Sequence, residues 1–151
     1  MKILFAASSG GHLEEIARLG GLTNPENTAL LTEDVHYTLQ FRQKRIYYVP
    51  QVNRRDPLCL IKLMRICWIS LCALLREKPD YVISTGALAA LPVCLISRTF
   101  HCRLIFIESL ARRERLSRTG KLLYGIADVF VVQWPELLAS YPRAVCWGMI
   151  Y

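Results

Sequence analysis

The sequence contains no Cys-x-x-Cys pair, no Gly-x-Gly-x-x-Gly fingerprint, no Walker A loop, no internal repeat and no composition break that would mark a linker. Each absence narrows the reading. Six cysteines (Cys59, Cys67, Cys72, Cys94, Cys102, Cys146) without paired spacing, most of them inside apolar runs, argue against a disulfide framework. They are expected to be reduced thiols acting as small hydrophobes. Met1 to Phe5 turns polar and glycine-rich by Ser8, too early for the apolar region of a secretory leader, so none is expected. With no linker, the 151 residues are expected to form one domain, 1-151, with one sizeable core. Acidic residues are also scarce, 12 against 19 Lys and Arg, for a net charge of +7. That excess favours an anionic partner without choosing among nucleic acid, phosphorylated substrate and anionic lipid.

Apolar residues, by contrast, are abundant. They make up 53% of the chain, and the mean hydropathy of +0.26 exceeds that of an ordinary soluble domain. Lys2 to Ala7 reads as a buried strand entering the turn Ser8-Ser9-Gly10-Gly11, and His12 to Leu22 follows at helical spacing. Further strands are expected at Ala29–Thr32, Ile46–Val49, Tyr81–Ser84, Leu104–Ile107, Val129–Val132 and Ala144–Trp147. Nearly continuous apolar strands alternating with helices indicate an α/β fold: a Rossmann-like parallel sheet with helices on both faces. Ligands in such sheets collect beyond the carboxyl ends of the strands. The candidate site is therefore built from Ser8 to His12, Ser84 to Ala87 and Glu108 to Arg112.

Gly10 and Gly11 let backbone approach a ligand and aim N–H groups at it, which suits a phosphate. Glu33 and Asp34, about twenty residues on, keep a nicotinamide-dependent Rossmann enzyme as a rival, disfavoured by the missing fingerprint. His12 is either a general base or an N-terminal helix residue that caps or packs. Glu14 and Glu15 complement the helix dipole. Ser84 and Thr85 either bind phosphate or sugar, or cap a helix starting near Leu88 with Pro92 in its first turns. Glu108 stands at a strand end beside Arg112, Arg113, Arg115, Arg118 and Lys121. That basic cluster is either a solvated loop or a clamp for diphosphate or lipid head groups.

Pro57 to Lys78 reads as a long apolar helix, yet its uncharged stretch between Arg65 and Arg76 is only ten residues, too short to span a bilayer easily. Lys62, Arg65 and Arg76 fall on one narrow stripe beside apolar positions that include Trp68. With Arg54 and Arg55 flanking it, the helix at about 57-78 is expected to lie in a membrane interface. Snorkelling of Lys62 and Arg65 leaves spanning as the alternative. Trp68 and Tyr47-Tyr48 sit in apolar elements rather than on a polar platform, so no nucleic-acid partner is expected.

Four segments carry a resemblance over essentially the whole chain: Ser8-Ser9-Gly10-Gly11-His12-Leu13, Ser84-Thr85-Gly86, Ile107-Glu108-Ser109-Leu110-Ala111-Arg112 and Gln133-Trp134-Pro135-Glu136-Leu137. They resemble the PssD/EpsE-type exopolysaccharide glycosyltransferase subunits. That family includes the membrane subunit of the eukaryotic dolichol-diphosphate second-GlcNAc transferase. More distantly they resemble the N-terminal half of MurG. The resemblance implies the acceptor-side half of a GT-B glycosyltransferase split over two chains, with no cofactor and no metal. The partner would be a small donor-binding subunit carrying the UDP-sugar. The acceptor would be a polyprenyl-diphosphate-sugar at the cytoplasmic face of the inner (plasma) membrane. His12 and Glu108 are the implied catalytic pair. Ser9, Gly10, Gly11, Thr85, Gly86, Ser109 and Arg112 would bind acceptor and phosphate, and Lys62, Arg65, Trp68 and Arg76 would meet the membrane. A non-catalytic membrane anchor for the partner transferase is the alternative. The apolar end Val145 to Tyr151 is expected either to continue into the partner contact or to form a covered edge strand.

Overall fold

Uninterrupted apolar runs become strands buried on both faces, and here they build one parallel sheet. A computed structural model describes residues 1–35, 45–53 and 55–150. Arg54 and Tyr151, singled out above, lie outside the described residues. The strands are β1 (Ile3–Ala7), β2 (Thr28–Glu33), β3 (Arg45–Val49), β4 (Tyr81–Gly86), β5 (Arg103–Ile107), β6 (Val129–Val132) and β7 (Val145–Cys146). They lie in the order β3-β2-β1-β4-β5-β6-β7, every neighbouring pair parallel. Strand order reverses between β1 and β4, and it is beyond this switch point that a ligand crevice opens.

The helices are α1 (Gly11–Gly20), α2 (Cys59–Glu77), α3 (Leu91–Ser97) and α4 (Arg118–Leu123). Alternation along β1 divides the core. Ile3, Phe5 and Ala7 meet Leu13 and Ile16 of α1 on one face, while Leu4 and Ala6 join α2 and α3 residues such as Ile66, Leu74 and Val93 on the other. Full burial of a side chain such as Phe5 or Leu74 stabilises the fold by about 1.5–3 kcal/mol.

α2 begins where the Asp56 carboxylate accepts the Leu58 N–H at 2.9 Å, and ends at Lys78 in the left-handed conformation. Its inner face (Ile66, Ser70, Ala73, Leu74, Glu77) is buried. Glu77 pins its end to β3, accepting the Tyr47 hydroxyl at 2.7 Å and pairing with Arg45 at 3.0 Å. Burial, then the bond to Glu77, pushes the Tyr47 phenol up to about 12.

β4 runs two residues further than expected, so Thr85 and Gly86 belong to the strand rather than to the turn after it. Neither Ser84 nor Thr85 caps the helical segment that follows: the Leu88–Ala90 3-10 turn and α3 both lack a side-chain cap. Of the six free cysteines, Cys94 and Cys102 are buried; Cys67 and Cys72 lie exposed on α2, because the outer face of that helix is as apolar as its inner one.

Candidate active site

The register between β1 and β4 slips at their carboxyl ends: Ala6 faces Ser84, but Ala7 faces Gly86. Thr85 is the extra residue, and such a bulge re-aims a side chain. Its hydroxyl donates to the carbonyl oxygen of His12 at 2.9 Å, while the Gly86 N–H donates to Ser84 Oγ at 3.1 Å. Gly86 has φ +106° and lies close to both Phe106 and the His12 ring, so a side chain would crowd the floor of the site. Ala87, with φ 74° and ψ 166°, holds a conformation almost reserved for glycine, and it lines the cleft described below. On the facing turn, Gly10 adopts φ +80° as the N-cap of α1, whose N-terminus has no side-chain cap. Ser9 donates its N–H and hydroxyl to Glu33 Oε2 at 3.1 and 2.9 Å, and Glu33 Oε1 accepts the Val52 N–H at 3.3 Å. Glu33 thus ties the first turn to the loop before α2 instead of standing ready for a ribose.

His12 is partly exposed, and its Nδ1 lies 3.8 Å from Oε2 of buried Glu15, one helical turn on. The other Glu15 oxygen accepts the Gln133 side-chain amide at 3.2 Å and the Leu110 N–H at 3.3 Å. Gln133 also donates to the Glu108 carbonyl at 3.0 Å, and Trp134 Nε1 donates to the Leu110 carbonyl. Arg113 stacks over Trp134 and pairs with Glu136 at 3.0 Å. The segments Glu108 to Arg112 and Gln133 to Leu137 are therefore two halves of one bonded structure around α1.

Glu108 is buried behind this wall. Its carboxylate accepts the Ser109 N–H at 3.0 Å, the Ser117 N–H at 2.9 Å and the Ser117 hydroxyl at 3.1 Å. Burial pushes its pKa up, partly offset by those bonds and the charge of Arg112. Ser117 in turn caps α4, accepting the Gly120 N–H at 2.9 Å. A Cβ on Gly120 would overlap Glu108 Oε2. The carboxylate beside His12 is therefore that of Glu15, and Glu108 anchors the loop that carries Arg112.

A cleft of about 850 Å³ opens beyond the strand ends, bounded by His12, Ala87, Ser109, Arg112, Arg118 and Lys62 among others. Three permanent cations face it, with Asp56 the one carboxylate among its lining residues and already paired to Lys62. A second depression, about 570 Å³, also borders His12, against Gly11, Glu15 and Ser109. An imidazole bordering a cleft that cations line can take a proton from a hydroxyl whose neighbouring phosphate those cations hold.

The family profile described as "Oligosaccharide biosynthesis protein Alg14 like" matches residues 27–150. The chain belongs to the Alg14-like family. The UDP-N-acetylglucosamine transferase subunit ALG14 of Homo sapiens is 30% identical over 99% of this chain and 83% of its own length. The protein of the same name from Kluyveromyces lactis is 52% identical over a shorter stretch, 50% of this chain and 35% of its own. Among solved structures, Acinetobacter baumannii MurG superposes with a TM-score of 0.72 at 17% identity, over 89% of this chain and 42% of MurG. UDP-N-acetylglucosamine 2-epimerase from Rickettsia bellii gives 0.71 at 12% identity, over 99% and 45%. The Alg14-like chain thus spans less than half of either structure, and the likeness is one of fold: a GT-B-type half with a Rossmann-like sheet.

Of the residues expected to bind acceptor, Gly10, Gly11, Ser109 and Arg112 stand at the hollows or the turn above them. Ser9 and Thr85 do not present free hydroxyls, since Ser9 serves Glu33 and the buried Thr85 serves His12. Gly86 is buried beneath the His12 ring. On α2, Arg65, Trp68 and Arg76 are exposed on the outer face, whereas Lys62 pairs with Asp56 and lines the cleft. Glu15 and Gln133 are the site residues that sequence reasoning passed over. The signals were the three-residue spacing from His12 to Glu15 on one helix face, and an amide following the apolar run Val129 to Val132.

Proposed function

We propose that this Alg14-like chain is the acceptor-side, membrane-recruiting subunit of a two-chain UDP-sugar glycosyltransferase. It extends a polyprenyl-diphosphate-linked sugar at the cytoplasmic membrane face, in exopolysaccharide or capsule synthesis, with a small partner chain supplying the donor site. The observation that carries this reading is His12 at the rim of a cleft bounded by Lys62, Arg112 and Arg118. The acceptor diphosphate lies against those cations, Ser109 and the α1 N-terminus. His12 takes the proton of the acceptor hydroxyl as its oxygen bonds to the anomeric carbon of the donor. The bond from that carbon to UDP breaks with inversion, and UDP leaves with the electron pair. The name shared by the relatives makes UDP-N-acetylglucosamine the donor to try first.

The outer face of α2 supports membrane recruitment. Leu60, Ile61, Met64, Trp68 and Leu75 are all more than half exposed, a contiguous apolar surface that a soluble monomer rarely carries. Because Ile66, Ala73 and Leu74 of the same helix are packed in the core, α2 lies along an interface instead of crossing it. Among the described residues no helix is long and apolar enough to cross a membrane.

The test is a transfer assay on membranes containing this chain, the partner chain, or both, with labelled UDP-N-acetylglucosamine and a polyprenyl-diphosphate-sugar. Transfer only with both chains supports the split enzyme. Equal transfer by the partner alone reduces this chain to an anchor.

A further inference from the structure

We infer that Glu15 is the positioning residue of His12, and that Gln133 holds Glu15 in the orientation this requires. The inference rests on the proposed role of His12 as base. Within the fold, His12 Nδ1 and Glu15 Oε2 are both buried atoms without a hydrogen-bond partner, and they lie 3.8 Å from each other. An unpaired buried carboxylate oxygen is costly, so it takes a donor when one is near. A small turn of the ring brings the two into contact, and apo sites often show such bonds long.

The rest of the network fixes which Glu15 oxygen is free. The Gln133 carbonyl oxygen accepts the Ile150 N–H at 3.1 Å, which obliges its NH2 group to face Glu15 and the Glu108 carbonyl. That NH2 and the Leu110 N–H both go to Glu15 Oε1, leaving Oε2 to the imidazole. The other two buried carboxylates of the site are engaged differently: Glu33 is held by Ser9 and Val52, and Glu108 by Ser109 and Ser117. With Glu15 facing it, Nδ1 carries the imidazole proton and Nε2 keeps its lone pair for the acceptor hydroxyl. When Nε2 takes that proton, the imidazolium forms beside an ionised carboxylate, and Glu15 itself takes no proton.

The test uses the full chain with ring-15N histidine in detergent, and the chain reconstituted with its partner. Long-range 1H–15N spectra of neutral His12 are expected to show the Nδ1–H tautomer in the wild type, with that form losing its dominance in Glu15→Gln and in Gln133→Leu. In the transfer assay both variants are expected to lose at least about tenfold in kcat with acceptor KM changed less than about threefold, and Glu15→Asp to recover part of the loss. An Nε2–H tautomer in the wild type, or a tautomer indifferent to Glu15→Gln, overturns the inference without any variant having to be active. If His12→Ala keeps full transfer, the proposed base role fails instead, while the spectra still decide the pairing.

Discussion

The Thr85 hydroxyl and the carbonyl oxygen of His12 are 2.9 Å apart, a bond across 73 residues that clips the first turn of α1 to the bulged end of β4. Thr85→Val keeps the shape and removes a donor from a carbonyl that, as the second residue of α1, also serves the helix ladder. It is expected to cost about 0.5–1.5 kcal/mol by denaturant unfolding. Transfer activity is expected to fall more than that loss of folded protein accounts for. Thr85→Ser, which keeps the hydroxyl, should restore both.

Gly120 is required by a carboxylate rather than by its own backbone. Gly120→Ala places a methyl group on Glu108 Oε2, so it is expected to destabilise the protein by at least about 2 kcal/mol. In a Glu108→Ala background the same substitution should cost much less. Equal penalties in both backgrounds, measured as a double-mutant cycle, contradict the contact.

Glu108 also makes stability depend on pH. Its folded pKa is raised above its ordinary value of 4.5, mainly by burial, so the folded state holds a proton that the unfolded state has released. Stability from this group therefore falls as pH rises from about 4.5 through the folded pKa, and is steady above it. Glu108→Gln should flatten that segment of the stability profile. An unchanged slope would show that the carboxylate is not penalised by burial.

Much of this architecture was legible along the chain. β1 and β6 are short runs with no charged residue, β5 is one after its leading Arg103, and a parallel sheet covered on both faces buries such runs. The three turns expected to form the site do converge. What was not legible is how carboxylates were shared out. Glu15 had a sufficient local explanation in the helix dipole, and its partners Leu110 and Gln133 lie 95 and 118 residues away. Glu108 ends an apolar strand, as a site residue would, yet turns out to secure Ser117. The bulge at Thr85 has no sequence signature either, since it is a mismatch between two strands that each look regular.

The exposed face of α2 predicts a separable membrane function. Met64→Glu and Trp68→Glu change residues that are 59% and 67% exposed, so each should alter stability by no more than about 0.5 kcal/mol. Flotation with anionic vesicles should show a marked fall in bound protein for either variant. Undiminished binding would assign membrane recruitment elsewhere on the chain.

Whether His12 is the base is decided by kcat/KM for transfer with His12→Ala in the two-chain enzyme, measured alongside its melting temperature. A loss of about 10²–10⁴-fold is expected, the range a positioned general base contributes, with the melting temperature unchanged. Wild-type turnover from His12→Ala would rule the imidazole out as the base.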